Sequence, residues 1–185
     1  MRPDLDHMNC LFAKAAIAII LAVASMHMAS AQKNTLGTSW SLSGIGVTYE
    51  RHTSENTFAQ LAVQAEMGEM FIGRTPYSGL SAAFTWNHIF AQVESRGGTP
   101  VLFYAGPGLA AGASKDLNGP AGLYFGLKGR IGMMCVFERG INISVSLAPT
   151  LGIQLTKDDE NFITRTYRNG LLQSGLPEIG ISYRF

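Results

Sequence analysis

Leu176-Pro177-Glu178-Ile179-Gly180-Ile181-Ser182-Tyr183-Arg184-Phe185, the last ten residues of the chain, alternate strictly between apolar and polar or small side chains. A repeat of two residues is the period of a β-strand, whose successive side chains point to opposite faces of a sheet. The stretch therefore predicts a strand with one apolar, aromatic face and one polar face. A soluble β-sandwich could also carry such a strand, so the stretch alone leaves the surroundings open.

The same alternation recurs after residue 31, between turn residues and without a convincing helical period. In the region of residues 39–51 the phase changes partway, and we interpret this as a β-bulge at Gly44. The long predicted connections are at residues 71–78, 114–120 and 156–174, and the short ones, expected on the periplasmic side, are at 52–56, 94–99 and 138–140. The pattern predicts strands at about residues 38–51, 57–70, 79–92, 100–112, 121–137, 141–155 and 175–185. An eighth strand is expected from residues 32–38, because single-chain bacterial barrels have even strand numbers.

Charged side chains distinguish between two kinds of barrel. A soluble barrel turns its apolar face inward, whereas a membrane barrel turns that face to lipid and keeps charges in its lumen. Export and the terminal Phe favour the membrane barrel, with a secreted lipocalin-like barrel as the alternative. We expect a plugged lumen, because eight strands enclose little more than side chains. Five charges lie on the polar phase of their strands and are predicted to form a lumen ion-pair network: Glu66, Lys128, Arg130, Glu178 and Arg184.

The first residues read as a cleavable leader. An uncharged apolar run at residues 15–25 follows Lys14, and Ala29-Ser30-Ala31 supplies small residues for signal peptidase. The run is too short for a membrane-spanning helix, which needs about 20 apolar residues. The sequence therefore predicts a signal peptide at residues 1–31, cleaved before Gln32. Cys135 is then the remaining cysteine, which leaves no intrachain disulfide, and a formal net charge of +1 gives no basic excess for nucleic acid.

Taken together, the leader, the length, the alternation and the ending resemble small OmpA-like eight-stranded outer-membrane β-barrel proteins. The stretch Ala105–Gly112 and the ending from Tyr167 to Phe185 are most similar to uncharacterised members from Bacteroidetes-like bacteria. The resemblance implies an all-β, transmembrane, antiparallel up-and-down barrel over residues 32–185, located in the Gram-negative outer membrane. It also implies outer-membrane lipid and the barrel assembly machinery as partners, but no shared chemistry. The implied assembly signal in the C-terminal strand is Ile179, Ile181, Tyr183 and Phe185.

For function, the sequence favours a structural, adhesion or interaction role with no catalytic activity, no cofactor and no metal. His52 and His88 do not have metal-ligand spacing. Gly106-Pro107-Gly108 lacks the Lys-Ser/Thr pair of a phosphate loop and is interpreted as a bend or as close packing within a strand. One alternative is a lipid-modifying enzyme, for which His88 would need a serine such as Ser78 or Ser81 beside it. The other is a narrow channel, which requires a lumen that its charges do not bridge.

Overall fold

The computed structural model describes residues 34–41, 44–67, 79–115, 121–158, 161–168, 170 and 176–185. The predicted signal peptide and its cleavage site lie outside these residues. Among the described residues, no helix has the length and apolar character needed to cross a membrane. A short 3-10 turn occupies Glu138–Gly140. The strands are β1 Asn34–Ser41, β2 Gly44–Ser54, β3 Thr57–Glu66, β4 Gly79–Glu94, β5 Pro100–Lys115, β6 Ala121–Val136, β7 Ile141–Leu147, β8 Thr150–Asp158, β9 Asn161–Tyr167 and β10 Glu178–Arg184.

These strands form one antiparallel sheet of ten strands that closes into a ring. The order is β5-β4-β3-β2-β1-β10-β7-β6-β8-β9, and β5 also pairs with β6. Strands β7 and β8 both pair with β6 in one register, with Leu147 opposite Ile131 and Thr150 opposite Lys128. Because β10 pairs with β7 and β9 pairs with β8, the ten strands occupy eight positions around the ring.

The register around the ring determines how steeply the strands tilt. Following paired residues once around from Leu123 of β6 leads back to Met133, which is ten residues further along the same strand. Strands rise about 3.3 Å per residue and lie about 4.8 Å apart. A shift of ten residues over eight positions therefore tilts the strands by about 40° from the ring axis.

The two faces of the ring differ sharply in polarity. The interior is mostly polar, and its buried apolar side chains form two small clusters, one around Tyr104 and one around Tyr167. Buried polar side chains include Glu50, Gln60, Asn87, Asn142 and Gln154. The outer face is apolar from one strand to the next, with exposed side chains that include Leu36, Trp40, Ile45, Val47, Phe84, Trp86, Leu109, Leu123, Phe125, Leu127, Ile131, Ile143, Leu151, Ile153, Ile179, Ile181 and Tyr183.

The prediction of a single first strand with a bulge at Gly44 is wrong. The chain instead makes two strands, β1 and β2, with Ser41 opposite Gly44 and Trp40 opposite Ile45. Directly opposed residues point to the same face of a sheet, so Trp40 and Ile45 both lie outside. Reversal of the chain between two strands, rather than a bulge within one, accounts for the change of phase. The additional strand does come from the N-terminal side, at Asn34–Ser41.

The prediction of a long surface loop at residues 156–174 is also wrong in part. Strand β8 extends to Asp158, and β9 lies within the predicted loop and pairs with β8. The outer face of β9 carries Thr164 and Thr166, opposite Leu155 and Ile153. These threonines replace the aliphatic residues that marked the other strands, so the alternation was hidden in the sequence.

Candidate functional site: the interior of the ring

The structure joins Arg130 and Glu178 in an ion pair across the interior. Nη2 of Arg130 on β6 lies 3.3 Å from Oε1 of Glu178 at the start of β10, and the two side chains are 4% and 9% exposed. The Arg130 guanidinium carbon lies 5.8 Å from the ring centroid of Tyr104, within the range of a cation–π contact. Both attractions hold the guanidinium at one height of the interior, where it is shielded from bulk solvent.

A hydrogen-bonded chain of side chains fills the interior beyond this pair. The Tyr124 hydroxyl donates to Oε1 of Glu66 at 2.8 Å, and the Tyr124 ring stacks on Tyr167 with centroids 4.2 Å apart. The Tyr167 hydroxyl lies 3.2 Å from Oγ of Ser114, whose backbone carbonyl accepts a 2.8 Å bond from Gln154. Three side-chain contacts and one side-chain to backbone hydrogen bond thus connect five strands, which favours a rigid interior.

A small polar cavity lies beside these residues. Its volume is about 40 Å³, and its lining includes Glu66, Tyr124, Lys128, Thr150 and Glu178. Because one water needs roughly 10–15 Å³ of such cavity volume, the cavity has room for about three waters. Lys128 interacts electrostatically with both Glu66 and Glu178 from this position. The cavity is thus suited to water or a very small polar group, and it is too small for a typical organic ligand.

Of the five predicted lumen charges, the structure brings two within ion-pair distance. Glu66, Arg130 and Glu178 are buried on the inner face, whereas Lys128 and Arg184 are half-buried there. Among the described residues, Arg130–Glu178 is the one ion pair with an N–O distance within 4.0 Å. Glu66 has Tyr124 as its hydrogen-bond donor instead of a cation.

A sixth interior charge, Glu50, escaped the sequence analysis. Glu50 is buried on β2, accepts a 2.8 Å hydrogen bond from Nε2 of Gln60, and interacts electrostatically with Arg130 and Arg184. The signal was present, because Glu50 follows Gly46 and Thr48 on the polar phase of its strand. The interpretation of residues 39–51 as one bulged strand obscured that phase. With Glu50 included, these six interior side chains comprise three carboxylates and three Lys or Arg side chains.

The half of the interior nearest Phe185 also contains polar atoms that are fully buried and have no protein partner. Leaving one such atom unsatisfied costs about 1–3 kcal/mol, so this set would cost on the order of 10–25 kcal/mol. That sum reaches or exceeds the total stability of a typical protein, about 5–15 kcal/mol. The atoms are Oγ1 of Thr35, Oε2 of Glu50, Nε2 of His52, Oδ1 of Asn87, Nε of Arg130, Nδ2 and Oδ1 of Asn142 and Nε of Arg184.

The residues of the predicted assembly signal share the outer face of β10. Ile179, Ile181, Tyr183 and Phe185 are 46%, 57%, 56% and 38% exposed, which confirms the strand and its apolar face. Their role in assembly stays a prediction.

Other sequence candidates are separated or purely structural. On β4, His88 is exposed on the outer face whereas Ser81 is buried inside, so the two side chains do not meet. Ser78 lies outside the described residues. Gly106 and Gly108 lie within β5, where a Cβ atom would collide with the backbone carbonyls of Trp86 and Phe84. The interpretation of these glycines as close strand packing is confirmed.

In the part of the chain that the structure describes, no three His, Cys, Asp or Glu residues are grouped to hold a metal ion. Comparison with known proteins adds nothing to the geometry: no family model, curated protein or solved structure matches this chain.

Proposed function

We propose that this chain is an outer-membrane β-barrel protein of Gram-negative bacteria, exported through the signal peptide at residues 1–31. In this proposal the ring is an eight-stranded transmembrane barrel whose interior is filled by side chains. Its role is structural, or lies in adhesion or other interactions made by its loops. One observation carries the proposal: apolar side chains cover the outside of the ring while polar and charged ones fill the inside.

The size of the exposed apolar surface supports lipid over water as its surroundings. Moving one large aliphatic or aromatic side chain out of water is worth about 1.5–3 kcal/mol when it becomes fully buried. Soluble monomers rarely expose continuous apolar patches larger than a few hundred Å². Here such exposed residues lie on β1, β2, β10 and every strand from β4 to β8, so the summed preference for an apolar phase is on the order of tens of kcal/mol. A lipocalin-like barrel would place this face inside.

The dimensions of the ring fit a bilayer. A tilt of about 40° lies within the range of about 35–45° found in outer-membrane barrels. On β6, outward positions run from Leu123 to Cys135, and twelve residues at this tilt span about 30 Å along the axis. That height matches a hydrocarbon core about 30 Å thick.

The interior supports the structural or interaction role over transport of solutes. The interior has no room for the water-filled passage of a general porin. It is bridged by the Arg130–Glu178 pair and filled by the Tyr124–Tyr167 stack, and the cavity beside them has a volume of about 40 Å³. A narrow channel would need a path past the Arg130–Glu178 pair. The lipid-modifying alternative gains no support from His88 and Ser81, which lie on opposite faces of β4.

The two tryptophans of the chain provide a direct test. Trp40 and Trp86 both lie on the outer face, 59% and 46% exposed. We expect lipids with brominated acyl chains to quench both strongly after reconstitution into vesicles, and aqueous iodide to quench them weakly. Trp40→Phe and Trp86→Phe would report each site separately. Quenching by iodide but not by brominated chains, or recovery of the mature protein as a soluble species in the culture supernatant, would overturn the proposal.

A further inference from the structure

We propose that the half of the interior nearest Phe185 binds a network of ordered waters, forming a hydrated chamber within the ring. The chamber is defined by the residues that carry the unpartnered buried atoms: Thr35, Glu50, His52, Asn87, Arg130, Asn142 and Arg184. The inference rests on the interior alone and holds whether or not the outer face meets lipid.

The chamber residues are brought together by the register of the sheet. Arg184 lies opposite Thr35 in the pairing of β10 with β1, and Thr35 lies opposite Glu50 in the pairing of β1 with β2. Arg130 reaches toward Glu50 from β6, which is on another side of the ring, since the two charges interact electrostatically. Polar atoms from several directions therefore face one shared space.

The chemistry of the unpartnered atoms identifies the ligand class. Three of them only donate hydrogen bonds, three only accept, and two can do either, depending for His on the tautomer. An inorganic anion would satisfy the donors and leave the carboxylate and amide oxygens bare, and a metal cation would do the reverse. Water both donates and accepts, so it matches the whole set. The donors are Nε of Arg130, Nε of Arg184 and Nδ2 of Asn142; the acceptors are Oε2 of Glu50, Oδ1 of Asn87 and Oδ1 of Asn142; the others belong to Thr35 and His52.

The same atoms indicate the size and the openings of the chamber. Buried waters make about three hydrogen bonds each, so eight atoms call for about three waters or more. Thr35 and Asn142 are 0% and 1% exposed, whereas His52 and Arg184 are half-buried. Water therefore enters at the end marked by His52 and Arg184. At the other end, Arg130 and its ion pair with Glu178 lie between the chamber and the cavity lined by Lys128.

Short X-ray pulses that generate hydroxyl radicals from water, followed by mass spectrometry, test the proposal on the intact folded protein. Tyr104 is 1% exposed and touches Arg130, so it is oxidised quickly only if a water is held beside it. We expect its labelling rate to exceed, by at least tenfold, the rate that 1% exposure to bulk water would give. Labelling no faster than that exposure allows would overturn the proposal.

Substitution of Asn142 gives a second measurement whose sign is decisive. If waters satisfy its amide, Asn142→Leu removes their bonds and the melting temperature falls. If the amide is bare, the apolar side chain relieves its desolvation and the melting temperature rises. Asn56→Leu, at an exposed turn position, is the matched control and should change little. A rise for Asn142→Leu would contradict the hydrated chamber, and a variant that fails to fold would leave the Tyr104 labelling of the unaltered protein as the test.

Discussion

Neutralising Glu178 is the most direct perturbation of the interior. Glu178→Gln keeps the shape of the side chain and removes the charge that faces Arg130 at 3.3 Å. Removing one partner of a buried ion pair typically costs about 3–5 kcal/mol, because the other charge is left unpaired away from water. Here Gln retains a carbonyl oxygen that can accept one hydrogen bond, and Arg130 keeps its contact with the Tyr104 ring. We therefore expect a loss of about 2–3 kcal/mol in the free energy of unfolding, at or below the lower limit of that range.

The assay is urea unfolding of the folded protein in lipid vesicles, followed by tryptophan fluorescence. Glu55→Gln is the matched control, because Glu55 is exposed in the turn between β2 and β3 and should change stability by less than about 0.5 kcal/mol. The double variant Arg130→Met/Glu178→Leu should lose less than Glu178→Gln alone, since it strands no charge. Equal small effects of Glu178→Gln and Glu55→Gln would show that water already screens the pair, and the narrow channel would then become the hypothesis to test by conductance.

Three other perturbations address assembly, the hydrogen-bonded interior and strand packing. Deletion of Phe185 or Phe185→Ala should lower the amount of folded protein in the outer membrane, because the terminal aromatic extends the apolar face of β10; unchanged levels on immunoblots of membrane fractions would contradict this. Tyr124→Phe removes the 2.8 Å hydrogen bond to Glu66 and should destabilise by about 1.5–3 kcal/mol in the same urea assay, whereas no loss would mean that water replaces the hydroxyl. Gly108→Val places a Cβ against a backbone carbonyl of β4 and should destabilise by about 1–3 kcal/mol, while Gly97→Ala, with open space around it, serves as the control; equal melting temperatures would refute the close packing.

How much of the interior could be predicted depends on the distance over which its contacts form. The polar phase of single strands identified Glu66, Lys128, Arg130, Glu178 and Arg184, because alternation is a local property. The choice of ion-pair partners, in contrast, depends on residues far apart in the sequence. Arg130 and Glu178 are 48 residues apart, and their contact depends on β6 and β10 lying on either side of β7. The pairing of Glu66 with Tyr124 across the ring had no signal in either strand.

The boundaries of the strands show the same limit. A hairpin and a bulge both change the phase of an alternating pattern, and only the pairing of Trp40 with Ile45 distinguishes them in this chain. Strand β9 was missed because threonine on its outer face lacks the aliphatic signature, yet its pairing with β8 is continuous. Hydrogen bonds between backbones specify these elements, and such bonds do not depend on how apolar a side chain is.

The sequence by itself determined that this chain is all-β and antiparallel, and that its strands separate apolar from polar side chains. A period of two is a local property that can be recognised from the order of residues alone. Only the tertiary structure decided which face lies outside and how far the register shifts around the ring. It also decided which buried polar atoms find partners. Those properties arise when the sheet closes: closure brings residues from distant strands to one height, and a small interior leaves room for some side-chain pairs while it leaves other polar atoms to water.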